Sequence, residues 1–188
     1  MQLLFYKVET IPTVWIQLNS PNDCRDIIIG GVYRRSREST ELMKCEFDQL
    51  QQQILRASQT GKTVLVIGDI NVDHNNKLHL LNKEANELLD IVEAADMRHI
   101  PNCKPTWKSY GLHKVCKCEI RNCGCPRLHR TSCIDNAYIS LEADASLKVL
   151  DDAVTDHFPL LINLKKKKLI VSSSQPGGGT HQKSKDQN

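Results

Sequence analysis

Apolar residues along this chain fall into two periodicities. Thr63-Val64-Leu65-Val66-Ile67 is an unbroken β-branched and aliphatic run, which reads as a strand buried on both faces. Gly68-Asp69-Ile70-Asn71 ends it. This places a carboxylate and a carboxamide two residues apart, on one side of an extended chain. Residues 14–18 and 26–34 read as two more strands, separated by the turn-forming Asn19-Ser20-Pro21-Asn22-Asp23. The paired Gly30-Gly31 permits a bulge or a close backbone approach. Met43, Phe47, Leu50, Ile54 and Ala57 recur at steps of four and three and mark one helical face, with Gly61 as the cap. Leu81, Ala85, Leu88, Val92 and Ala95 give a second helix that ends before Pro101. Residues 132–140, 147–150 and 159–164 are the remaining predicted strands. Strands and amphipathic helices mix, several strands being antiparallel neighbours, so the expected class is α/β or α+β.

The 188 residues suffice for one domain with a substantial core. The periodic pattern stops at 164, and residues 165–188 read as a disordered lysine-, serine- and glycine-rich tail. The net charge of +3 hides an uneven distribution. From Lys165 onward there are six lysines and one aspartate, and residues 103–133 carry seven Lys/Arg against Glu119 alone. The rest of the chain is therefore acidic. An acidic body with one basic segment suits a carboxylate metal site beside a patch for an anionic partner.

No apolar run is long enough for a membrane span. The first residues, Met1-Gln2-Leu3-Leu4-Phe5-Tyr6, lack the basic and long apolar regions of a signal peptide. The expected location is intracellular, nuclear or cytoplasmic, not secreted. The eight cysteines then read as thiols or metal ligands rather than a disulfide framework. Gly61-Lys62-Thr63 imitates the end of a phosphate-binding loop, but Arg56 stands where that motif needs glycine and a strand follows where it needs a helix.

Four short elements carry the chemistry, each at a predicted strand end: Gly68-Asp69-Ile70-Asn71, Pro105-Thr106-Trp107, Ser132-Cys133-Ile134-Asp135 and Thr155-Asp156-His157. Taken singly, Asp156-His157 reads equally as part of a solvated loop, Asp135 as a strand cap and Tyr33 as a half-buried aromatic. In this order, the set resembles the endonuclease/exonuclease/phosphatase superfamily, whose signatures run GD(F)N, P-T-(F/W), S-x-I-D and (S/T)-D-H. Gly31-Val32-Tyr33-Arg34 and the wording V-I-G-D-I-N are most similar to the apurinic-type endonuclease domains of non-LTR, LINE-like retrotransposons. The resemblance extends from Val14 to Leu164. It implies a DNase I-like fold, a four-layer β-sandwich flanked by helices.

The resemblance also implies roles. His157 would activate water or steady the phosphate, and Asp135 would fix its tautomer. Asp69 would align the nucleophile or protonate the leaving group, Asn71 would orient the phosphate and Tyr33 would donate to one of its oxygens. Asp156 would help bind Mg²⁺ or Mn²⁺. Arg34, Thr106 and Trp107 would contact the nucleic acid. The implied partner is a DNA target strand, with no membrane and no obvious protein partner. Two departures stand out. The family's first-strand asparagine and its metal-binding glutamate have no counterpart in the matched region, so the domain reads as partial (1–164), truncated at its N-terminus and impaired in catalysis. Arg35-Ser36 also replaces the prolines usual in retrotransposon relatives.

Between the second and third elements lies a cysteine-rich basic insertion, about 103–133. Cys116, Cys118, Cys123 and Cys125, with His113 and His129 on the flanks, supply the ligand types of a structural Zn²⁺ site. A metal-free cysteine-rich hairpin is an equal alternative. Its basic residues, with Trp107 and Tyr110, suit phosphate contact and base stacking. Three function classes follow: a Mg²⁺-dependent DNA-nicking endonuclease, a phosphatase or exonuclease of the same superfamily, and a non-catalytic remnant that at most binds nucleic acid.

Overall fold

The computed structural model describes residues 2–4, 11–19, 26–35, 39–74, 83–102, 104–114, 124–151 and 155–165. In chain order they form β1 (Gln2–Leu4), β2 (Thr13–Leu18), β3 (Ile27–Tyr33), α1 (Thr40–Ser58), β4 (Thr63–Asp69), α2 (Lys83–Glu93) and β5 (Met97–His99). There follow β6 (Trp107–Lys114), β7 (Arg127–Ser132), β8 (Asp135–Ser140), β9 (Asp144–Val149) and β10 (Leu160–Lys165). Six strands make one sheet in the order β1-β2-β3-β4-β8-β5, while β9 pairs with β10 and β6 with β7. The β3–β4 pair is parallel, and the connection between them is α1, as a parallel pair requires.

The unbroken apolar run of β4 has its reason in this order. The strand lies inside the sheet, between β3 and β8, and both of its faces are covered. On one side Val64 and Val66 join Trp15, Phe47, Leu50, Ile54, Leu88 and Tyr138 in a core under the two helices. On the other, Leu65 joins Ile100, Ala137 and Ile139, with Leu147 and Ile162 of the β9–β10 hairpin packed against them. The result is an α/β sandwich: helices, a mixed sheet, then a second small sheet. Among the described residues no helix lies on the outer side of β9–β10.

Helix α1 starts where Ser39 caps it, its side chain accepting from the Leu42 N–H. The expected stripe of Met43, Phe47, Leu50, Ile54 and Ala57 is buried throughout. Gln59 is the C-terminal cap, and Gly61, expected in that role, takes a φ of 68° in the turn just beyond it. In α2, Ala85, Leu88 and Val92 face inward. Leu81 lies outside the described residues. The helix is shorter than expected: it ends at Glu93, and Met97–His99 forms an edge strand on β8.

Two further differences concern the site. Residues 132–140 are two strands, because the chain leaves the β6–β7 ribbon at Ser132 and joins the large sheet at Asp135. Lys165, expected in the tail, closes β10 with its ammonium 3.1 Å from Asp144. The rest of the tail lies outside the described residues.

Candidate active site

Strand order brings the candidate residues together. Tyr33 on β3 pairs with Asp69 on β4, which pairs with Asp135 on β8. Cross-strand partners project to the same face. For Asp69 and Asp135 that face is the one carrying Leu65, Ile67, Ala137 and Ile139 into the inter-sheet core. The two carboxylates therefore stand at the open end of the apolar layer between the sheets.

His157 reaches them from the β9–β10 connection, held from behind by the Pro105-Thr106-Trp107 segment. His157 bridges to Trp107, the Lys108 N–H donates to the Asp156 carbonyl at 2.9 Å, and the Phe158 N–H donates to the Thr106 carbonyl at 2.8 Å. The imidazole Nδ1 lies 2.9 Å from Asp135 Oδ2, and its Nε2 lies 3.9 Å from Asp69 Oδ2. A carboxylate can only accept here, so Nδ1 carries the proton toward Asp135 and Nε2 is the nitrogen turned to Asp69.

His157 and Asp69 both hold their protons more tightly than usual. Burial pulls the His157 pKa down, but the hydrogen bond and charge of Asp135, with the charges of Asp69 and Asp156, outweigh it and leave it raised. Asp69 is raised too, first by burial and then by the Asp135 charge, against a smaller opposing pull from His157. A base and an acid so shifted, 3.9 Å apart, are placed to exchange protons with a bound water or a departing oxygen.

Asn71 sits beside this pair with a φ of 56°. Its N–H donates to Asp69 Oδ1 at 3.2 Å and its Nδ2 to the Arg34 carbonyl at 2.6 Å, so part of the carboxamide is spent on the loop itself. Tyr33 is 48 % exposed on the neighbouring strand, free of any burial that would keep it from a ligand. Asp156 accepts from the Trp107 indole N–H at 2.9 Å.

Three of the expected nucleic-acid contacts are placed otherwise. Arg34 is 1 % exposed: its guanidinium lies between Glu46 and Glu84 and over the Phe47 ring, on the helical side of the sheet. Its Nε and Nη1 are held by the two carboxylates, its Nη2 is enclosed with no hydrogen-bond partner among the described residues, and an arginine so buried does not reach a phosphate outside the sheet. Thr106 is fully buried, its hydroxyl accepting from the Asp135 N–H at 2.9 Å. Trp107 is half-buried and its N–H is committed to Asp156. All three brace the site instead. Of the proposed zinc ligands, Cys116, Cys118 and Cys123 lie outside the described residues, and Cys125 is half-buried just before β7.

The motif reading passed over Asn136. It is fully buried on the helical side of β8, and its Nδ2 donates to Val72 O at 2.8 Å and Ile134 O at 3.2 Å, fastening the chain after β4 to the chain before β8. An asparagine at the head of the apolar run Ala137-Tyr138-Ile139 was the available signal. His74, whose Nε2 lies 2.7 Å from the Tyr138 hydroxyl, was passed over as well.

Asp69, Asp135 and His157 offer ligand atoms within 4.8 Å of one another. The carboxylate oxygens of Asp69 and Asp135 are of the type that suits Mg²⁺, and the His157 nitrogen in the set extends it to Mn²⁺. Among the described residues no glutamate joins this cluster. No helix of the described residues is long and apolar enough to cross a membrane.

No protein-family model and no curated protein matches the sequence. Solved structures do match the fold. The endonuclease domain of TRAS1, a telomere-specific non-LTR retrotransposon, superposes with a TM-score of 0.54 at 13% identity, over 83% of this chain and 63% of that one. The chain has the endonuclease/exonuclease/phosphatase fold. A mannosyl-6-phosphatase from Bacteroides thetaiotaomicron gives 0.54 at 13% identity, over 81% of this chain and 56% of its own. Truncated Caenorhabditis elegans TDP2 gives 0.53 at 12%, over 87% of this chain and 64% of its own. The chain thus spans less than two thirds of each of these structures.

Proposed function

We propose that the cluster of Asp69, Asp135 and His157 hydrolyses phosphodiesters with the help of a divalent cation, and that its substrate is DNA, nicked as by a retrotransposon-type endonuclease. One observation carries the reading: His157 is held by Asp135 through one nitrogen while the other faces Asp69. In this scheme Asp156 would help hold Mg²⁺ or Mn²⁺, which supplies charge neutralisation at the phosphoryl oxygens. His157, kept cationic longer than usual by its carboxylates, would bind the phosphate and move the proton. Asp69 would align the water or protonate the departing oxygen, Asn71 would orient the phosphate by donating the Nδ2 hydrogen that Arg34 does not take, and Tyr33 would donate to it. DNA is supported by the TRAS1 likeness and by the β6–β7 ribbon beside the site. That ribbon exposes Tyr110 and Leu112 and carries Lys108, Arg127 and Arg130. Such a surface suits phosphate contact and base stacking.

With no glutamate in the cluster among the described residues, a hard cation held by these groups alone is bound weakly, so slow nicking that needs millimolar Mg²⁺ is expected. That same feature favours the second reading, nucleic-acid binding without catalysis. The test is nicking of supercoiled plasmid by purified chain over a Mg²⁺ series, with DNA binding measured in parallel. Nicking abolished by His157→Ala supports the first reading. Binding without nicking establishes the second, and release of phosphate from monoesters in preference to nicking moves the substrate to the phosphatase class.

A further inference from the structure

We propose that Arg34 is a positioning residue, which holds the Asp69–Asn71 exit of β4 in place by tying it to both helices. The sequence offers Arg34 beside Tyr33 as a surface charge, but every contact turns it inward. Its main chain continues the parallel ladder one step past β3: the Arg34 N–H donates to Asp69 O at 2.8 Å, and its carbonyl accepts from Asn71 Nδ2 at 2.6 Å. The guanidinium returns to the same loop from the other side. Its Nη1 donates to the Ile70 carbonyl at 3.2 Å and to Glu84 of α2 at 3.0 Å, while Nε donates to Glu46 of α1 at 3.1 Å. One residue therefore holds Asp69, Ile70 and Asn71.

The arrangement exceeds what folding alone would ask. Burying a guanidinium needs partners for its charge, and a hydrophobic residue of similar volume often serves a core as well or better. Here the planar fork spans two carboxylates and a carbonyl on three separate elements, which a lysine's single ammonium cannot reproduce. The Ile70 carbonyl lies between the two candidate site residues. Holding it fixes the direction in which Asp69 and the left-handed Asn71 leave the strand. Displacements of the order of 1 Å in such a group lower rates by up to about 10²-fold.

The catalytic consequence rests on the phosphodiesterase reading, whereas the positioning itself does not. Arg34→Lys keeps a cation between Glu46 and Glu84 and removes the fork. In the full chain we expect kcat for plasmid nicking to fall about 10-fold or more with KM nearly unchanged, together with faster amide hydrogen exchange at residues 69–72. Native kcat and native exchange would overturn the proposal. A raised KM at constant kcat would also overturn it, by returning Arg34 to substrate binding. Should Arg34→Lys fail to fold, Glu84→Ala releases only the α2 arm and is expected to show the same pattern to a smaller degree, with native behaviour counting against the proposal. If the unmodified chain nicks nothing, the phosphodiesterase reading falls and exchange at 69–72 alone decides the role of Arg34.

Discussion

Asp135 and His157, 22 residues apart in sequence, meet at 2.9 Å and turn one imidazole nitrogen toward Asp69. The contact stabilises the imidazolium, so removing it lowers the His157 pKa, and Asp135→Asn is expected to show this as a lower titration midpoint of the His157 ring by NMR. An asparagine also accepts through one oxygen only and can favour the wrong tautomer. Any nicking activity should drop about 10²- to 10⁴-fold. An unmoved midpoint would mean that the pair does not hold in solution.

Trp107 and Asp156 give a second, separable prediction. Trp107→Phe keeps an aromatic ring and removes the donor 2.9 Å from Asp156 Oδ2. A single partly exposed hydrogen bond contributes about 1 kcal/mol, so urea denaturation should show a loss of that order. The freed carboxylate loses its orientation, and the Mg²⁺ concentration giving half-maximal nicking should rise. A direct DNA-stacking role for Trp107 predicts instead that phenylalanine is nearly neutral and that alanine weakens DNA binding.

How the sequence announced these features depended on range. The strand of Thr63–Asp69 was legible because burial on both faces leaves no alternation to read, and α1 because its stripe persists over four turns. The edge strand Met97–His99 was not: three residues with one apolar side chain carry no period. The motifs foretold which residues meet, since Asp69, Asp135 and His157 lie at strand ends in the expected order. Arg34 and Thr106 went astray for a different reason. Their partners, Glu46, Glu84 and the Asp135 amide, are brought to them by the fold. Nothing in Tyr33-Arg34 or Pro105-Thr106-Trp107 distinguishes a brace from a contact.

Two glycines test the packing behind the site. At Gly30 an added Cβ would lie 2.7 Å from the Trp15 ring, itself pinned by its N–H donating to Gln53. At Gly68 it would lie 1.8 Å from the Val32 carbonyl oxygen, where φ is 154°. A side chain can shift, whereas a strand backbone in a ladder cannot without breaking its pairing. Gly30→Ala is expected to cost about 1–3 kcal/mol and Gly68→Ala more than that, with Gly68→Ala also displacing Asp69 next to it. Thermal or urea unfolding of the two variants checks the order, and equal losses would contradict it.

His99 sets a pH limit on the fold. Its ring is mostly enclosed on the helical side of the sheet, 4.5 Å from the His74 ring and 5.4 Å from that of Tyr138, and burial lowers its pKa, the Asn136 side chain offsetting only part of the loss of water. A base with a lowered pKa in the folded state binds protons more readily when unfolded. Its contribution to stability is therefore intact above its ordinary value of about 6.5 and is lost as pH falls below it. His157 runs the other way: raised when folded, it stabilises most below that value and loses the benefit as pH rises through its folded pKa. The two are separable by substitution. In a His157→Gln background, the melting temperature should fall between about pH 7 and pH 5. His99→Phe added to that background should flatten the fall, because a neutral ring of similar shape has no proton to take up. A fall of the same size in the double variant would assign the acid sensitivity to the carboxylates instead.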